Sequence, residues 1–553
     1  MIRQRAFYLG ILFLSFLVSV PVILPFFHSG YFPTHDGEWA VVRMAEMFRE
    51  IRDYQFPARY SGYLNFGYGY PLFNFAYPFP YYLGTGLHLL KFGFVDSVKI
   101  IFAMSVPFSA LFMFLASREL WRSTFAGFAS ALLYIYLPYR MVDLYVRGSI
   151  GESLAFVFFA AIFYILVKLI NKHYSKSLIA IGAIFYAMLI TTHNIMAILF
   201  TLVIGLFLAC FIVIERKKEI IPPLLILFVF GLALSAFFWL PAIFEKKNIL
   251  LSVVPIADRS LYYADVKKLI LPSWGFGNPI DKDGFSYQFG LPQLTVLVLS
   301  LSLLFFSWLK NKRNSLKETK FKYAVILVLI LFILIFLLFP QSDFIWKLPL
   351  LSEINYPWTI LAPVGFLISL LSGFLASKAG FIRYLLLVIS VISIFLFLPY
   401  ARPQLYFDKS DNFYLTNDAT TTSSREYTPL WVKNMPNKRP ENKIEIIRGD
   451  GEVSNLIYNS KKLSFNVATE NNVKVRVNTI YYPGWKLFID EKQAKIDFKN
   501  DSGVMDVLLT KKNHYVNFVF SETPFRFFAD AISVVSVLGL LMFLKFNKFN
   551  IKL

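Results

Sequence analysis

Tyr31-Phe32-Pro33-Thr34-His35-Asp36-Gly37-Glu38-Trp39 follows directly on an apolar run over residues 7–27. That run is long enough to cross a hydrocarbon core of about 30 Å and lacks the small-x-small cleavage site of a signal peptide, so it reads as a retained first span. Arg3 and Arg5 ahead of it place its start in the cytoplasm, and the quoted residues then open an external loop over 29–97. Two carboxylates at the mouth of a span meet water and lipid together. A membrane enzyme would place an acid–base group there.

Apolar runs recur along nearly the whole chain. Of its 553 residues 57% are hydrophobic and 16% charged, which excludes an ordinary soluble protein. The net charge of +20 would suggest nucleic acid in a soluble domain, but the excess Lys and Arg falls in short loops between spans, so no nucleic-acid partner is expected. Cys210 is the single cysteine and lies in an apolar run, so no intrachain disulfide can form.

The spacing of Trp39, Val42, Ala45, Phe48 and Ile51 predicts an amphipathic helix along the membrane surface, with Arg43, Glu46, Arg49 and Glu50 turned away. Residues 75–92 make a poor span, interrupted by Pro78, Pro80, Gly84, Gly86 and His88. If they lie at the interface, spans at about 98–117, 124–140, 153–170, 177–192, 195–214, 220–241, 291–309, 323–340, 358–377 and 382–399 leave the basic loops in the cytoplasm. A last span at about 525–544 returns Lys545, Lys548 and Lys552 there, so both termini are expected to be cytoplasmic.

The expected architecture is a polytopic α-helical membrane protein of about twelve spans. Residues 1–399 form the multi-span domain, 400–524 an external β-rich domain, and 525–553 the final helix and tail. In the β-rich region Asn472-Val473-Lys474-Val475-Arg476-Val477 alternates at period two. Similar patterns over 462–467, 485–489 and 515–520, with turn residues at 490–492 and 500–503, predict a small antiparallel sandwich.

Asp36 and Glu38 flank a glycine, on one side of an extended segment but on different faces of a helix. Asp36 is either a helix cap or an acid–base group. A second external loop, Arg140-Met141-Val142-Asp143-Leu144-Tyr145-Val146-Arg147-Gly148-Ser149-Ile150-Gly151-Glu152, holds five ionisable groups that need water, partners or a cavity. Arg147 and Glu152 lie across a Gly-Ser-x-Gly bend whose backbone donors suit a phosphate; Glu152 could equally favour the N-terminal dipole of the next span. His193 and Asn194 end a span on the same side. Zinc-ligand spacing, a Walker loop, a Gly-x-Ser-x-Gly nucleophile and a Rossmann fingerprint are all missing from the sequence.

A first span, an acidic external loop, a surface helix and a second acidic loop resemble the C-type (GT-C) membrane glycosyltransferase superfamily, which includes oligosaccharyltransferases and protein mannosyltransferases. Asp36-Gly37-Glu38, Gly67-Tyr68-Gly69-Tyr70-Pro71-Leu72-Phe73-Asn74, Arg147-Gly148-Ser149-Ile150-Gly151-Glu152 and Thr192-His193-Asn194 are similar more closely to the prokaryotic 6-pyruvoyl-tetrahydropterin-synthase-related membrane proteins and their YfhO-like relatives. Glu426-Tyr427-Thr428-Pro429-Leu430-Trp431-Val432 and Tyr481-Tyr482-Pro483-Gly484-Trp485 extend the likeness into the β-rich region. Tyr356-Pro357-Trp358-Thr359 departs from it, having no Arg after Pro-Trp.

The resemblance implies transfer of a sugar from a polyprenyl-phosphate-linked donor to a glycan, lipid or protein acceptor at the outer face of the cell membrane. It implies Asp36 as base with Glu38 as its partner or substitute, Arg147 and His193 for the phosphate, Glu152 for positioning, and Tyr68, Tyr70 and Asn74 around the sugar. Superfamily members with lipid monophosphate donors commonly need no metal, whereas oligosaccharyltransferases use a divalent cation, Mg or Mn; the sequence leaves both open. A lipid or polysaccharide transporter or flippase is the main rival, although transporters place functional charge near the midplane of broken helices. A non-catalytic glycan-binding envelope protein is the other.

Overall fold

The computed structural model describes residues 2–281, 284–310, 312–378, 380–418 and 425–545. Among them nine helices are long and apolar enough to cross a bilayer, from Arg5–Phe27 to Pro524–Lys545. Two further candidates are bent pairs: Thr124–Ile135 with Pro138–Arg147, bent by 45°, and Lys218–Leu234 with Ala236–Phe244, bent by 69°. Lys176–Thr192 adds a shorter apolar helix. The first bend has a local cause, because Leu137 is extended, Pro138 starts a new helix, and residues Asp143–Arg147 widen into a π-helical turn.

One end of the bundle is tied by ion pairs between short basic loops. Lys168 and His173 reach Glu119, Lys322 reaches Glu215 and Lys378 reaches Glu318. Lys548 and Lys552, expected at this end, lie outside the described residues. In a Cys210→Ser background, Cys at Lys347 and at Glu470, both exposed, should react with an impermeant thiol reagent applied to intact cells. Cys at Asn314 should react only after permeabilisation; labelling of Glu470 and Lys347 from opposite sides would break the topology.

Residues 75–92 contain an 11-residue helix, Phe79–Leu89. At 1.5 Å per residue it is about 16 Å long, too short to cross. It packs beneath Gly37–Arg52, where a side chain on Gly84 would collide with Met44.

Gly37–Arg52 is helical as its periodicity predicts, but its polar face is not turned to water. The chain at 60–64 folds over it. Glu46 accepts the Tyr63 N–H at 3.0 Å and Glu50 the Ser61 hydroxyl at 2.7 Å, and both carboxyls are buried. Burial raises Glu46 to about 7 and Glu50 well above the ordinary carboxylate range, where the neighbouring Glu46 adds to the effect. The unfolded chain ionises both freely above about pH 4.5, so their contribution grows less favourable as pH rises from there through 7. Glu46→Gln should therefore raise the thermal midpoint in detergent at about pH 8 and lose that advantage near pH 5.

The β-rich region holds β1 (Ile444–Arg448), β2 (Glu452–Tyr458), β3 (Lys462–Thr469), β4 (Val473–Ile480), β5 (Trp485–Ile489), β6 (Lys492–Ala494), β7 (Val504–Leu509) and β8 (Lys512–Phe520). They form two antiparallel sheets, β1-β4-β7 and β2-β3-β8-β5-β6, which close on one core of Leu463, Phe465, Val475, Val477, Leu487 and Phe518. Tyr60, Phe75 and Ile249 from outside the sandwich enter the same core.

Beneath it, Arg526 at the start of the last helix is fully buried and binds Glu245, with Nη2 at 2.8 Å and Nε at 2.9 Å. Glu245 Oε2 also accepts from Asn74 Nδ2 at 2.9 Å and from the Tyr482 hydroxyl at 3.1 Å. Arg59 reaches Asp530 at 2.7 Å. The first loop, the second bent helix pair, the sandwich and the last helix thus meet in one buried polar junction.

Candidate active site

Asp36 occupies the N-cap position of Gly37–Arg52, yet its carboxylate makes no capping bond. Thr34 Oγ1 accepts the Gly37 N–H instead, at 2.9 Å. The loop is held by backbone bonds to the second acidic segment: His35 N–H donates to Val146 O at 3.0 Å and Asp36 N–H to Arg147 O at 2.7 Å. The approach is so close that a Cβ on Gly148, which has φ of +65°, would run into Thr34 Oγ1. Relieved of capping, the Asp36 side chain is 53% exposed and lies 3.8 Å from Arg147 Nη2.

Arg147 is held on three sides. It forms an ion pair with the fully buried Glu152, lies with its guanidinium 4.4 Å from the Trp358 ring centroid, and faces Asp36. Glu152 also accepts the Tyr139 hydroxyl at 2.6 Å. Trp358 therefore supports an arginine from another loop.

His193 caps Asn194–Glu215 by accepting the Met196 N–H on Nδ1 at 3.3 Å, and stacks on Tyr77 with centroids 5.1 Å apart. The capping bond assigns the ring proton to Nε2. Burial, helped by the charge of Arg147, lowers the imidazole to about 3, so His193 is neutral near pH 7 and can offer a phosphate only a hydrogen bond.

Asp36, Arg147 and His193 line one cavity of about 180 Å³ together with His35, Trp39, Arg43, Tyr77, Tyr81 and Glu426. His35 Nε2 is within 2.9 Å of Phe276 O. Arg43, expected to face water, sits among Tyr70, Tyr77, Tyr81 and Tyr427. Glu426 arrives from the segment leading to the sandwich, anchored by Leu251 N–H donating to Glu426 O at 2.9 Å.

Of the residues singled out in the sequence, Asp36, Arg147 and His193 line this cavity, and Glu152 stands behind Arg147. Glu38 points elsewhere, to Lys409 at 2.7 Å and the Tyr414 hydroxyl. Tyr70 is buried near Arg43, Tyr68 packs by Trp431 and Ile480, and Asn74 belongs to the junction around Glu245.

No family model matches the chain. An uncharacterized protein of Lactococcus lactis subsp. cremoris (strain MG1363) is 24% identical over 352 residues, 62% of this chain and 54% of its own. The chain thus spans about half the length of that relative. Among solved structures, the archaeal oligosaccharyltransferase AglB from Archaeoglobus fulgidus, in complex with an inhibitory peptide and a dolichol-phosphate, is similar with a TM-score of 0.40 and 13% identity, over 78% of this chain and 57% of AglB. ArnT from Cupriavidus metallidurans, bound to undecaprenyl phosphate, is similar with a TM-score of 0.37 and 12% identity, over 72% of this chain and 71% of ArnT. Scores at this level leave the roles of individual side chains to the geometry above.

Among the described residues no three His, Cys, Asp or Glu side chains are grouped to hold a metal ion. Both cavity histidines have a ring nitrogen engaged elsewhere. The described residues around the cavity do not fit such an ion.

Proposed function

We propose that this protein is a membrane glycosyltransferase that moves a sugar from a polyprenyl-phosphate carrier to an acceptor hydroxyl, with inversion at the anomeric carbon. The observation that carries this reading is the Asp36 carboxylate, excused from capping by Thr34 and set beside Arg147 in the lining of a small cavity at the mouth of the spans. Asp36 takes the proton of the acceptor hydroxyl as its oxygen bonds to the anomeric carbon. The bond from that carbon to the phosphate oxygen breaks, and the electron pair leaves with the phosphate. General-base help of this kind is worth about 10²–10⁴ in rate. Arg147 and Nε2–H of His193 meet the charge on the departing phosphate, and Glu152 and Trp358 hold the guanidinium in place beforehand. Arg43 supplies a second guanidinium to the cavity, and Tyr77 and Tyr81 a flank for the sugar.

Purified protein incubated with polyprenyl-phosphate sugars and candidate acceptors should yield a glycosylated product; absence of transfer from every such donor would end the reading. Removing Arg147 should weaken donor binding itself, because the phosphate is charged before and after reaction. Arg147→Met combined with Glu152→Gln leaves no unpaired buried charge and should reduce donor affinity about tenfold or more, as well as turnover. Unchanged donor binding in this pair would remove Arg147 from the phosphate.

A transporter reading draws on the Arg140–Asp143 pair, fully buried beside the 45° bend. Each of those charges also has a serine partner, Ser105 Oγ and Ser153 O for Arg140 and Ser153 Oγ for Asp143, which favours a structural role.

A further inference from the structure

The outer face of the five-stranded sheet carries a second cleft, well apart from the cavity around Asp36. It is an open groove of about 250 Å³ lined by Phe488, Glu491, Tyr515 and Asn517. Strand register places these groups side by side: Phe488 pairs with Asn517 across β5 and β8, while Leu487, Val516 and Phe518 point into the sandwich core. Tyr515 is 42% exposed. It lies five positions up β8 from Phe520, about 17 Å from the membrane-proximal end at 3.3 Å per residue.

The groove is built rigidly. Asp490 accepts the Tyr515 N–H at 2.9 Å and holds His514 Nδ1 at 2.8 Å, and its own N–H donates to Tyr515 O. Asp490 and Glu491 form the two-residue turn between Ile489 and Lys492, with φ of +48° and +67°. A turn with both central residues in the left-handed region favours Asn-Gly or Gly-Gly. This chain instead places a glutamate at the second position, in the lining of the groove. Asn517 Oδ1, shielded from water, has no hydrogen-bond partner among the described residues.

We propose that this groove is a saccharide-binding site that takes one neutral sugar ring of a glycan chain. Phe488 and Tyr515 offer flat apolar surface to the C–H face of a pyranose, the Asn517 side chain that lines the groove meets a hydroxyl, and the Glu491 carboxylate accepts from vicinal hydroxyls. The volume falls below the roughly 300 Å³ at which clefts for drug-sized ligands begin, so it suits one ring. Its openness lets a chain continue at both ends. The one charge in the lining is the Glu491 carboxylate, which disfavours an anionic sugar at that position.

Because binding is read without any donor, the test stands apart from the transferase reading. Full-length protein in detergent is run on native affinity gels containing a soluble neutral β-glucan, mannan or galactan, and titrated with oligosaccharides of whichever polymer retards it. At least one polymer should retard the parent, and Tyr515→Ala and Asn517→Ala should each weaken binding about tenfold or more at an unchanged thermal midpoint. Glu491→Gly is the decisive variant: the turn accepts glycine more readily, so stability should hold or rise while binding weakens about tenfold. Retardation by none of the neutral polymers, retardation only by anionic ones, or parent-like binding by all three variants would overturn the proposal.

Discussion

Asp36→Asn should lower turnover by at least about 10² and leave fold and donor affinity nearly unchanged. The fold should tolerate the change because Thr34, not Asp36, caps the helix, and the Asp36–Arg147 contact is long and half open to water. Asparagine keeps the shape but cannot take a proton. The effect therefore belongs in kcat, with donor affinity within a few-fold of the parent, measured by direct binding of a polyprenyl-phosphate sugar alongside turnover. Glu426→Gln is the necessary comparison, since it is the other carboxylate lining the cavity among the described residues. If Asp36→Asn stays within a few-fold of the parent while Glu426→Gln abolishes transfer, the base is Glu426. If neither matters, no carboxylate in this cavity takes the proton and the transferase reading fails.

Glu245→Ala should cost about 3–5 kcal/mol, because it leaves the Arg526 guanidinium buried without its counter-charge. Asn74 and Tyr482 lose an acceptor in the same step. The measurement is the thermal midpoint in detergent, read beside limited proteolysis of the sandwich, which should loosen from the helices. Glu245→Leu with Arg526→Met fills the site with apolar groups and should recover most of the loss, as buried pairs replaced together often do. A Glu245→Ala midpoint close to that of the parent would mean that the junction does not hold the sandwich.

The spans were legible because a stretch that crosses lipid must be apolar throughout, and composition alone reveals it. Strands β3, β4, β5 and β8 were legible by alternation, whereas β7 was not: Asp506 is fully buried in it, paired with Arg476, and breaks the pattern. β2 escaped notice because nearly all of it is exposed. The helix over Gly37–Arg52 was readable, but its solvent side was not, since only the chain returning at 60–64 decides that Glu46 and Glu50 are covered.

Within the site the same division holds. Thr34 and Asp36 are both capping residue types, and the choice between them rests on backbone bonds to Val146 and Arg147 that no local spacing reveals. Glu38 stands two positions on, about 200° around the helix, and so faces Lys409. Arg43 was counted with the outward face. Glu426 was visible in a quoted motif, and what was missing was the fold that carries it to the cavity.

The polar junction also sets an order of manufacture. Chain that has left the ribosome as far as residue 399 already includes Asp36, Arg43, Arg147 and His193, but not Glu426, and Glu245 still lacks its guanidinium. The junction between the first loop, the sandwich and the last helix closes only when Arg526 has been made. A ribosome that stalls before Pro524–Lys545 therefore leaves Glu245 without its counter-charge and the sandwich without its anchor to the helices.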